Sequence, residues 1–409
     1  MKRSADTLYD AVIVGGGPAG AAAALTLAEA GRRVLLLEQR TRIGFKLGES
    51  IPPQVRPLVE RLLGAANLAA TELTDPRNQT HGNVSCWGSD QPQAQSFFFM
   101  PHRYGLRLDR PRFDQALRQR ALAAGVDVRM GSALRRAEAG VADGARWRCT
   151  VTAGDTAAAD DTILARMLLD CSGRRASVAR GRGVRRHCGD RLFAFARCYL
   201  QAADASADDD TQTHIEAVAD GWWYSVRLPA TGAERCARRL VVFHTDRDLP
   251  AARQAAQATG FDHQLGRSQH IRGILREHGY PAQAAGAIHG AAAGSEYLQH
   301  CVGHGWLAVG DAAQAFDPLS SQGIGSALTA GLTAAAAVDQ TLAGDLQALH
   351  RYQAGLEAVR SDYQRQHRYF YAAERRWPEH PFWQRRQRPV VSRHWAARSQ
   401  SPVVSAHSS

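Results

Sequence analysis

Short apolar runs that alternate with helical patterns occupy the first part of the chain. Continuous apolar runs bounded by turn residues are typical of strands buried on both faces, whereas apolar positions recurring at helical spacing indicate helices. We predict buried strands over residues 11–14, 33–38, 126–128, 147–152 and 163–169. Helices are predicted over residues 18–30, 54–63 and 112–124. This alternation of strands and helices indicates a parallel sheet.

Between residues 192 and 243 the pattern changes to longer strands in which apolar and polar positions alternate. Such alternation is typical of a mostly antiparallel sheet. The strands are predicted over residues 192–200, 214–218, 221–229 and 239–244. Because residues 302–311 read again as a buried strand, the alternating sheet is inserted into the parallel one.

The remaining segments have weaker patterns. Residues 71–96 read as loop-rich, and an aromatic strand is predicted over residues 97–100, before a short strand over residues 104–108. The C-terminal part reads as helical, with predicted helical segments over residues 251–279, 323–343 and 346–376.

A glycine-rich turn follows the first predicted strand. Gly15, Gly17 and Gly20 have the G-x-G-x-x-G spacing. Gly15 permits the tight turn, Gly17 lets the backbone approach a pyrophosphate, and Gly20 lets the next helix lie close to the strand. The helix N-terminus offers free N–H groups to phosphates. The second strand ends in Glu38, whose carboxylate can bind ribose hydroxyls, which indicates FAD or NAD rather than NADP.

A second ligand-binding pattern begins at residues 302–311. This strand ends at Gly310-Asp311, where the carboxylate can bind a ribityl hydroxyl. A loop containing Pro318 then leads to Gly323, where the next helix begins. A helix N-terminus at this place can stabilise negative charge on a reduced flavin ring.

The net charge of the chain is +11, and its basic side is nearly all arginine. Residues 361–409 contain nine arginines against three acidic residues, a local net charge of +6. Such a segment can be a solvated face, or it can bind nucleic acid or an acidic protein. No nucleic-acid-binding motif occurs, so we expect no nucleic acid partner. We predict that the arginines around Arg375, Arg376, Arg385 and Arg386 help to hold an acidic protein.

The cysteine spacing and the hydropathy of the chain indicate the cellular compartment of the protein. The seven cysteines show no C-x-x-C pair and no zinc spacing, which predicts reduced thiols and no metal site. No apolar run of about 18 residues occurs, so no membrane span is expected. The first strand begins directly after a short lead, which leaves no room for a signal peptide. Together these features predict a cytoplasmic protein.

Three segments together resemble the fingerprints of the group A FAD-dependent monooxygenases, which have the para-hydroxybenzoate hydroxylase fold. They are the glycine triplet, residues 170–174 (Asp-Cys-Ser-Gly-Arg) and residues 310–325, and the resemblance covers roughly residues 8–380. It implies one non-covalently bound FAD, O2 as co-substrate, and NADH, NADPH or an external reduced flavin as reductant. The predicted FAD contacts are Gly15, Gly17, Pro18, Ala19, Gly20, Glu38, Gln39, Arg40, Ser50, Arg107, Gly310, Asp311, Gly323 and Ile324.

The predicted fold is therefore α/β. It consists of a Rossmann-type FAD-binding domain with a parallel sheet, an inserted, mostly antiparallel substrate sheet and C-terminal helices. The FAD-binding domain is predicted in three parts, residues 8–80, 111–185 and 301–345. The substrate domain is predicted over residues 81–110 and 186–300, and a C-terminal helical region with a basic tail over residues 346–409.

A narrower resemblance is to the flavin halogenase branch. It rests on residues 48–52 (Gly-Glu-Ser-Ile-Pro), 222–229 (Trp-Trp-Tyr-Ser-Val-Arg-Leu-Pro) and 316–323 (Phe-Asp-Pro-Leu-Ser-Ser-Gln-Gly). That branch has a Trp-x-Trp-x-Ile-Pro box and a lysine downstream of the Gly-Glu pair. Here Tyr224 occupies the second Trp position, and residues 81–87 contain no lysine. We therefore expect no halogenation.

The chain looks more similar to non-halogenating relatives, the flavoproteins that mature tryptophylquinone cofactors of lysine oxidase, glycine oxidase and quinohaemoprotein amine dehydrogenase. Residues 369–386 also resemble theirs. The resemblance implies a monooxygenase that hydroxylates a tryptophan ring of a partner polypeptide through a flavin hydroperoxide, with or without a further maturation protein. Two alternatives remain: a small-molecule aromatic hydroxylase or flavin-dependent reductase, and a non-catalytic flavin-bound assembly factor.

Two adjacent tryptophans are the predicted substrate-binding residues, together with Pro318. Trp222 and Trp223 alternate along one strand, so one faces the pocket and the other does not. Both could equally be core residues.

Three acidic or basic residues are the catalytic candidates. Asp317 is expected beside the flavin ring as a polar clamp or proton relay, or only as a loop cap. His81 could be an acid or base at the pocket mouth, although single histidines usually are not. Glu49 is expected near the flavin, either as a ligand or as the cap of a helix at Ser50.

Overall fold

The computed structural model describes residues 8–42, 44–140, 144–152, 160–229, 237–281 and 286–387. Its strands, in chain order, are β1 (Leu8–Val14), β2 (Val34–Glu38), β3 (Ser50–Ile51), β4 (Gln79–Thr80), β5 (Gly82–Cys86), β6 (Gln93–Ser96), β7 (Gly105–Arg107), β8 (Asp127–Met130), β9 (Leu134–Ala139), β10 (Trp147–Val151), β11 (Asp161–Asp170), β12 (Arg186–Cys188), β13 (Leu192–Leu200), β14 (Gln212–Val218), β15 (Gly221–Arg227), β16 (Arg238–Asp246), β17 (His289–Ala292), β18 (Glu296–Leu298), β19 (Val302–Gly303), β20 (Trp306–Ala308) and β21 (Gln314–Ala315).

The α-helices within the same residues are α1 (Pro18–Glu29), α2 (Arg56–Ala70), α3 (Arg110–Ala123), α4 (Ser177–Gly181), α5 (Pro250–Ala255), α6 (Ala258–Gly266), α7 (His270–Glu277), α8 (Gly323–Leu342), α9 (Ala348–Ala373) and α10 (Pro381–Gln387). Short 3-10 helices span Pro53–Val55, Pro76–Asn78, Gly173–Arg175, Gly310–Ala312 and Pro318–Ser320. None of the described helices is both long and apolar enough to cross a membrane.

The first sheet has a parallel centre in the order β20-β11-β1-β2-β8. Strands β19 and β10 extend it in antiparallel fashion. Its central strand β1 is buried because helix α1, which is mostly alanine and leucine, packs closely against it and against α8. At Gly331 of α8 an added Cβ would meet the Ala19 carbonyl oxygen, so glycine is needed for this close approach. The parallel centre brings the carboxyl ends of β1, β2 and β11 to one edge of the sheet.

The second sheet contains seven strands in the order β17-β13-β16-β15-β14-β5-β6. All of its pairs are antiparallel except β14 with β5. One face packs on helices α5, α6 and α7, and the other packs in part on α9 and α10. The predicted α/β fold, with a Rossmann-like sheet, an inserted antiparallel sheet and C-terminal helices, is therefore confirmed. The predicted domain boundaries stay predictions.

Two local predictions between residues 71 and 100 are wrong. The stretch 71–96 was expected to be loop-rich, but it contains strands β4, β5 and β6, which are short and carry mostly polar residues. Residues 97–100 were expected to form an aromatic strand. They form a turn in which the Met100 N–H donates to the Phe97 carbonyl. Aromatic content favoured a strand here, but only Phe97 is buried, whereas Phe98 and Phe99 are exposed.

Three of the four arginines predicted to hold an acidic protein form ion pairs within the chain, whereas Arg375 is exposed and its part of that prediction stays a prediction. Arg386 is buried and its Nη2 lies 2.7 Å from Asp246 Oδ1. Arg385 is ion-paired with Asp246 and Asp248, and Arg376 with Glu374 at 2.6 Å. These three arginines hold the C-terminal helices on the second sheet, and residues 388–409 of the predicted tail lie outside the described residues.

Candidate functional site

One large cavity of about 1540 Å³ lies between the two sheets. Small-molecule sites typically occupy roughly 300–1,000 Å³, so this cavity has room for a dinucleotide and for part of a second molecule. Its wall on one side comes from the carboxyl ends of the parallel strands and from α8, and on the other side from the second sheet.

The glycine turn after β1 forms one end of the cavity. Gly15 has φ of +112°, a conformation that favours glycine. An added Cβ at Gly17 would meet nothing within 4 Å, because this position opens into the cavity. Gly17 also precedes α1 without any side-chain cap, so the first N–H groups of the helix are free for an anion. The turn therefore has the shape and polarity that a pyrophosphate requires.

Glu38 lies at the end of β2 and faces the same part of the cavity. Its Oε2 accepts a hydrogen bond from the Gly16 N–H and its Oε1 accepts one from the Arg40 N–H, both at 3.0 Å. Arg118 donates to the Gly16 carbonyl at 3.0 Å. These bonds fix the carboxylate beside the glycine turn, where a ribose would lie.

Asp311 and the first residues of α8 also line the cavity. The Asp311 carboxylate accepts no hydrogen bond from the described residues, and burial raises its pKa although Arg174, Arg186 and Arg110 oppose the shift. Helix α8 begins at Gly323 without a side-chain cap, and an added Cβ at Gly323 would meet nothing within 4 Å. An acceptor and a set of free N–H groups are thus available for a ribityl chain and a flavin ring.

These features fit FAD. The predicted FAD contacts that line the cavity are Gly15, Gly17, Pro18, Ala19, Glu38, Gln39, Arg40, Ser50, Gly310, Asp311, Gly323 and Ile324. Gly20 lies behind the turn, where an added Cβ would meet the Gly15 carbonyl oxygen, as its predicted packing role requires.

Arg107 is a correction. It was expected to contact the cofactor, but it is fully buried outside the cavity wall, and its Nη2 donates to the Gln212 carbonyl at 3.3 Å. Burial lowers the pKa of its guanidinium to about 10. Arg174 and Arg175 line the cavity instead, and Arg174 also donates to the Gly294 and Phe316 carbonyls. Residues 170–174 are one of the three segments that resemble the family fingerprints, but the sequence pattern assigns no cofactor contact to Arg174.

The second sheet supplies an aromatic wall. Trp222 and Tyr224 on β15 and His244 on β16 face the cavity. Trp223 points to the other face, where its ring stacks on Phe243 at 4.6 Å and meets Phe261 edge-on. Alternation thus places one tryptophan of the pair in the cavity wall, and Trp223 is a core residue rather than a substrate contact.

Trp222 is held rigidly on both its face and its edge. Its ring stacks on His244 with 3.7 Å between ring centroids and 11° between planes. Its Nε1–H donates to the Tyr371 hydroxyl at 3.1 Å. Burial lowers the pKa of His244 to about 3, so the imidazole is neutral at physiological pH.

Asp317 connects this wall to the cofactor side. Its Oδ1 accepts from the Leu319 N–H at 2.9 Å, so the predicted loop cap exists. Its Oδ2 accepts from the Tyr371 hydroxyl at 2.7 Å and lies 3.3 Å from His367 Nε2. Burial opposes the charge on Asp317, but these hydrogen bonds outweigh it and the pKa is lowered. A buried, ionised carboxylate therefore lies at the cavity wall, bonded to a histidine that is partly exposed.

Sequence reasoning missed the helix residues that complete this network. Tyr363, His367 and Tyr371 lie four residues apart on α9 and therefore on one face of the helix. The Tyr363 hydroxyl accepts from the Asp317 N–H at 3.0 Å. Aromatic residues at this spacing on a helix that is otherwise polar were the available signal.

Glu49 and Tyr224 form a second polar pair in the cavity wall. Glu49 is buried and Tyr224 is half-buried, and the Tyr224 hydroxyl donates to the Glu49 carboxylate. Burial raises the pKa of Glu49, although this hydrogen bond and the Gly48 N–H oppose the shift. Ser50 lies in strand β3, so the expectation that Glu49 caps a helix at Ser50 is wrong.

His81 is also a correction. Its side chain is exposed and does not line the cavity, whereas Asn83, two residues later on β5, does. It is therefore not placed to act as an acid or base in this cavity.

The cavity wall contains one lysine among the described residues. Lys46 lies 2.8 Å from Asp114, whose side chain is buried and also pairs with Arg110. The ion pair with Asp114 holds this amine at the wall.

Two clusters of acids and histidines come close enough to be considered as metal ligands. Asp190, Asp317 and His367 have potential ligand atoms within 4.8 Å of one another, and so do Asp208, Asp210 and His278. In the second cluster Arg239 Nη2 lies 2.7 Å from Asp208 and 2.9 Å from Asp210, so a cation is already present between the two acids. The prediction that the protein holds no metal stays a prediction.

Comparison with known proteins agrees with this site. The model of the family described as FAD dependent oxidoreductase matches residues 10–218. The putative FAD-dependent oxidoreductase LodB of Marinomonas mediterranea is 28% identical over 382 residues, which cover 92% of this chain and 96% of that protein. A tryptophan 2-halogenase of Chondromyces crocatus is 25% identical over 344 residues, 82% of this chain and 62% of that protein.

Solved structures show the same fold. The flavin-dependent halogenase CmlS superposes with a TM-score of 0.77 at 23% identity and covers 94% of this chain and 68% of that chain. The peptidyl tryptophan dihydroxylase QhpG, described as essential for tryptophylquinone cofactor biogenesis, superposes with a TM-score of 0.65 at 26% identity, covering 93% of this chain and 79% of that chain. The glycine turn, the acid at the end of β2 and the match over half of the sequence lead to one conclusion: this chain belongs to the FAD dependent oxidoreductase family.

Proposed function

We propose that this protein is an FAD-dependent monooxygenase that hydroxylates the indole ring of a tryptophan in a partner polypeptide. The product would serve the biogenesis of a tryptophylquinone cofactor. The similarity to QhpG, at 26% identity over most of both chains, supports a peptidyl tryptophan as the substrate class. The similarity to LodB extends over nearly the full length of both chains.

The observation that carries the proposal is the wall beyond the FAD-binding end of the cavity. Trp222, stacked on His244 and hydrogen-bonded to Tyr371, is fixed in this wall with 1% of its surface exposed, and the half-buried Tyr224 lines the cavity beside it. Aromatic rings prefer to pack against such rings in offset or edge-on geometry, so an indole is a suitable occupant.

Oxygen transfer to a ring carbon adds one oxygen atom of O2 to the substrate, and the other leaves as water. Bound FAD, reduced by NADH, NADPH or an external reduced flavin, would supply the two electrons for this reaction. The chain itself must orient the ring, exclude water and move protons. Trp222 and His244 orient the ring, and the buried Asp317 carboxylate accepts a proton and passes it towards His367. Glu49, whose pKa is raised, can hold a proton at the opposite side of the wall.

The pairing of Lys46 with Asp114 disfavours halogenation. In the halogenase branch the lysine amine captures hypohalous acid, which requires a free amine beside the substrate. Here the lysine of the cavity wall is held by a buried acid, so hydroxylation is the reaction that the wall supports.

The test is oxygen incorporation. The reduced protein would be mixed with isotopically heavy O2 and either free tryptophan or a library of capped peptides that contain one tryptophan, and the products analysed by mass spectrometry. Heavy oxygen in the tryptophan of peptides supports the proposal. Labelling of free tryptophan alone would favour a small-molecule hydroxylase. Reoxidation without labelling of any aromatic compound would favour a reductase.

A further inference from the structure

The edge strand β17 forms part of the cavity wall. It pairs with β13 on one side and is the terminal strand of the second sheet, so its other side has no partner strand among the described residues. All four of its residues, 289–292, line the cavity, and three of them are exposed. An unpaired strand edge is therefore present inside the site, where a ligand can reach it.

The ladder shows which backbone groups are free. The Ala293 N–H donates to the Leu192 carbonyl at 3.0 Å, which makes these two residues a hydrogen-bonded pair. Such pairs alternate along an antiparallel ladder, so His289 and Ala291 bond to β13, whereas the N–H and C=O groups of Gly290 and Ala292 point away from it. Two residues about 7 Å apart thus present donors and acceptors along the free edge.

This edge lacks the features that usually prevent strand pairing. Edge strands are commonly protected by charged side chains, by proline or by a covering segment. Residues 289–292 (His-Gly-Ala-Ala) include no acid, lysine, arginine or proline, and three of the four side chains are no larger than a methyl group. Phe45, which is 41% exposed, lies against His289 with 4.7 Å between ring centroids and 34° between ring planes, and it gives the edge an apolar border.

We propose that β17 binds an extended segment of the polypeptide substrate as an added strand, with the tryptophan side chain directed into the cavity towards Trp222. This inference rests on the proposed function, because it assumes a polypeptide substrate. Main-chain hydrogen bonds to Gly290 and Ala292 supply affinity that is independent of the flanking sequence, and the cavity supplies the selection for an aromatic side chain. Free tryptophan cannot form this ladder, so the edge selects for a peptide.

The test uses two proline variants, each of which removes one outward-pointing backbone N–H from one of the two free edges of the second sheet. Ala292→Pro removes a donor of β17 without breaking the ladder to β13, since proline is tolerated on an edge strand where the N–H faces outward. On the opposite edge, the Phe97 N–H donates to the His81 carbonyl at 2.8 Å, so the N–H of exposed Ala94 also points outward. Ala94→Pro is therefore the matched control, at a position outside the cavity wall.

The measurement is equilibrium binding of a capped, fluorescent alanine peptide with one central tryptophan to each FAD-loaded protein without reductant. Ala292→Pro is expected to raise Kd about fivefold to tenfold, the effect of one lost main-chain hydrogen bond, and Ala94→Pro to leave it within about twofold. Methylation of the peptide backbone nitrogens next to the tryptophan should weaken binding to the wild-type protein by a similar factor, which tests the edge even if a variant folds poorly.

Three results would overturn the inference. The first is wild-type affinity for the peptide in Ala292→Pro together with no effect of backbone methylation. The second is loss of FAD from Ala292→Pro, which would assign the edge to the cofactor. The third is a wild-type dimer that Ala292→Pro dissociates, which would assign the edge to a second copy of this chain. Because binding is measured without turnover, failure to hydroxylate the peptide would count against the proposed function and not against the edge.

Discussion

The hydroxyl of Tyr371 offers a sharp test of the network around Asp317. It donates to the Asp317 carboxylate at 2.7 Å and accepts the Trp222 Nε1–H at 3.1 Å, and all three side chains are buried. Tyr371→Phe removes a hydrogen bond to a charged acceptor, which is worth about 1.5–3 kcal/mol, and leaves a buried indole N–H without a partner, which costs about 1–3 kcal/mol. The lost hydrogen bond and the unpaired indole N–H both arise from one hydroxyl, and neighbouring side chains can relax, so the two costs do not add in full. We expect a loss of about 3 kcal/mol in the free energy of unfolding at pH 7.

Tyr352→Phe is the matched control on the same helix. The Tyr352 hydroxyl is also buried, but it makes one hydrogen bond, to the neutral carbonyl of Ala308 at 2.9 Å. Its removal should cost about 0.5–1.5 kcal/mol. Urea unfolding of both variants, followed by tryptophan fluorescence at equal FAD content, measures the difference.

The pH dependence separates an ionic role from simple packing. The folded-state pKa of Asp317 is lowered, so its contribution to stability is fully present above the unfolded value of about 3.9 and is lost as the pH falls through the folded value. Removing the Tyr371 hydroxyl raises that folded pKa, so the deficit of the variant should be largest near neutral pH and shrink on acidification. A deficit that is equal in Tyr371→Phe and Tyr352→Phe, or that does not change with pH, would refute this reasoning.

Three further predictions concern the cofactor, the reaction and the C-terminal helices. Gly17→Val should purify with little FAD, because the valine side chain would occupy the open space at the glycine turn. The control Gly273→Val, on helix α7, should retain FAD. The flavin absorbance per mole of protein measures the FAD content of both variants. With saturating chloride or bromide and a flavin reductase, mass spectrometry should find no halogenated tryptophan, since Lys46 is paired with Asp114; a halogenated product would contradict the hydroxylase proposal. Arg386→Ser should lower the free energy of unfolding by about 3 kcal/mol or more, because it leaves the buried Asp246 with fewer partners. Arg375→Ser, on the exposed surface, should change the free energy of unfolding by less than about 0.5 kcal/mol. Equal effects of the two substitutions would show that the Arg386 ion pair does not hold the helices.

The sequence by itself determined the elements whose signals are local. The glycine turn, the acid ending β2 and the Gly310-Asp311 pair could be recognised because their spacing follows from backbone conformation within one strand–turn–helix unit. The continuous apolar runs likewise predicted β1, β2 and β11 of the parallel centre, whereas residues 147–152, predicted in the same way, form the antiparallel strand β10. These features were sufficient to predict the fold class and the FAD-binding end of the site.

The tertiary structure decided what depends on contacts between distant segments. Alternation required that one of Trp222 and Trp223 face the cavity, but only the packing of α5–α7 on the other face of the sheet determined that it is Trp222. The partners of Asp317 come from α9, about 50 residues further along the chain, and no local pattern specifies that distance.

The number of charged residues in a segment was the least reliable predictor of what that segment contacts. Composition showed an excess of arginine in residues 361–409 but not where the opposing acids lie. Asp246 and Asp248 belong to the end of β16 and the turn after it, and they meet Arg385 and Arg386 only because the C-terminal helices fold back on the second sheet. Ion pairing is decided by proximity in space, so a count of charges along the chain cannot distinguish a docking surface from an internal clamp.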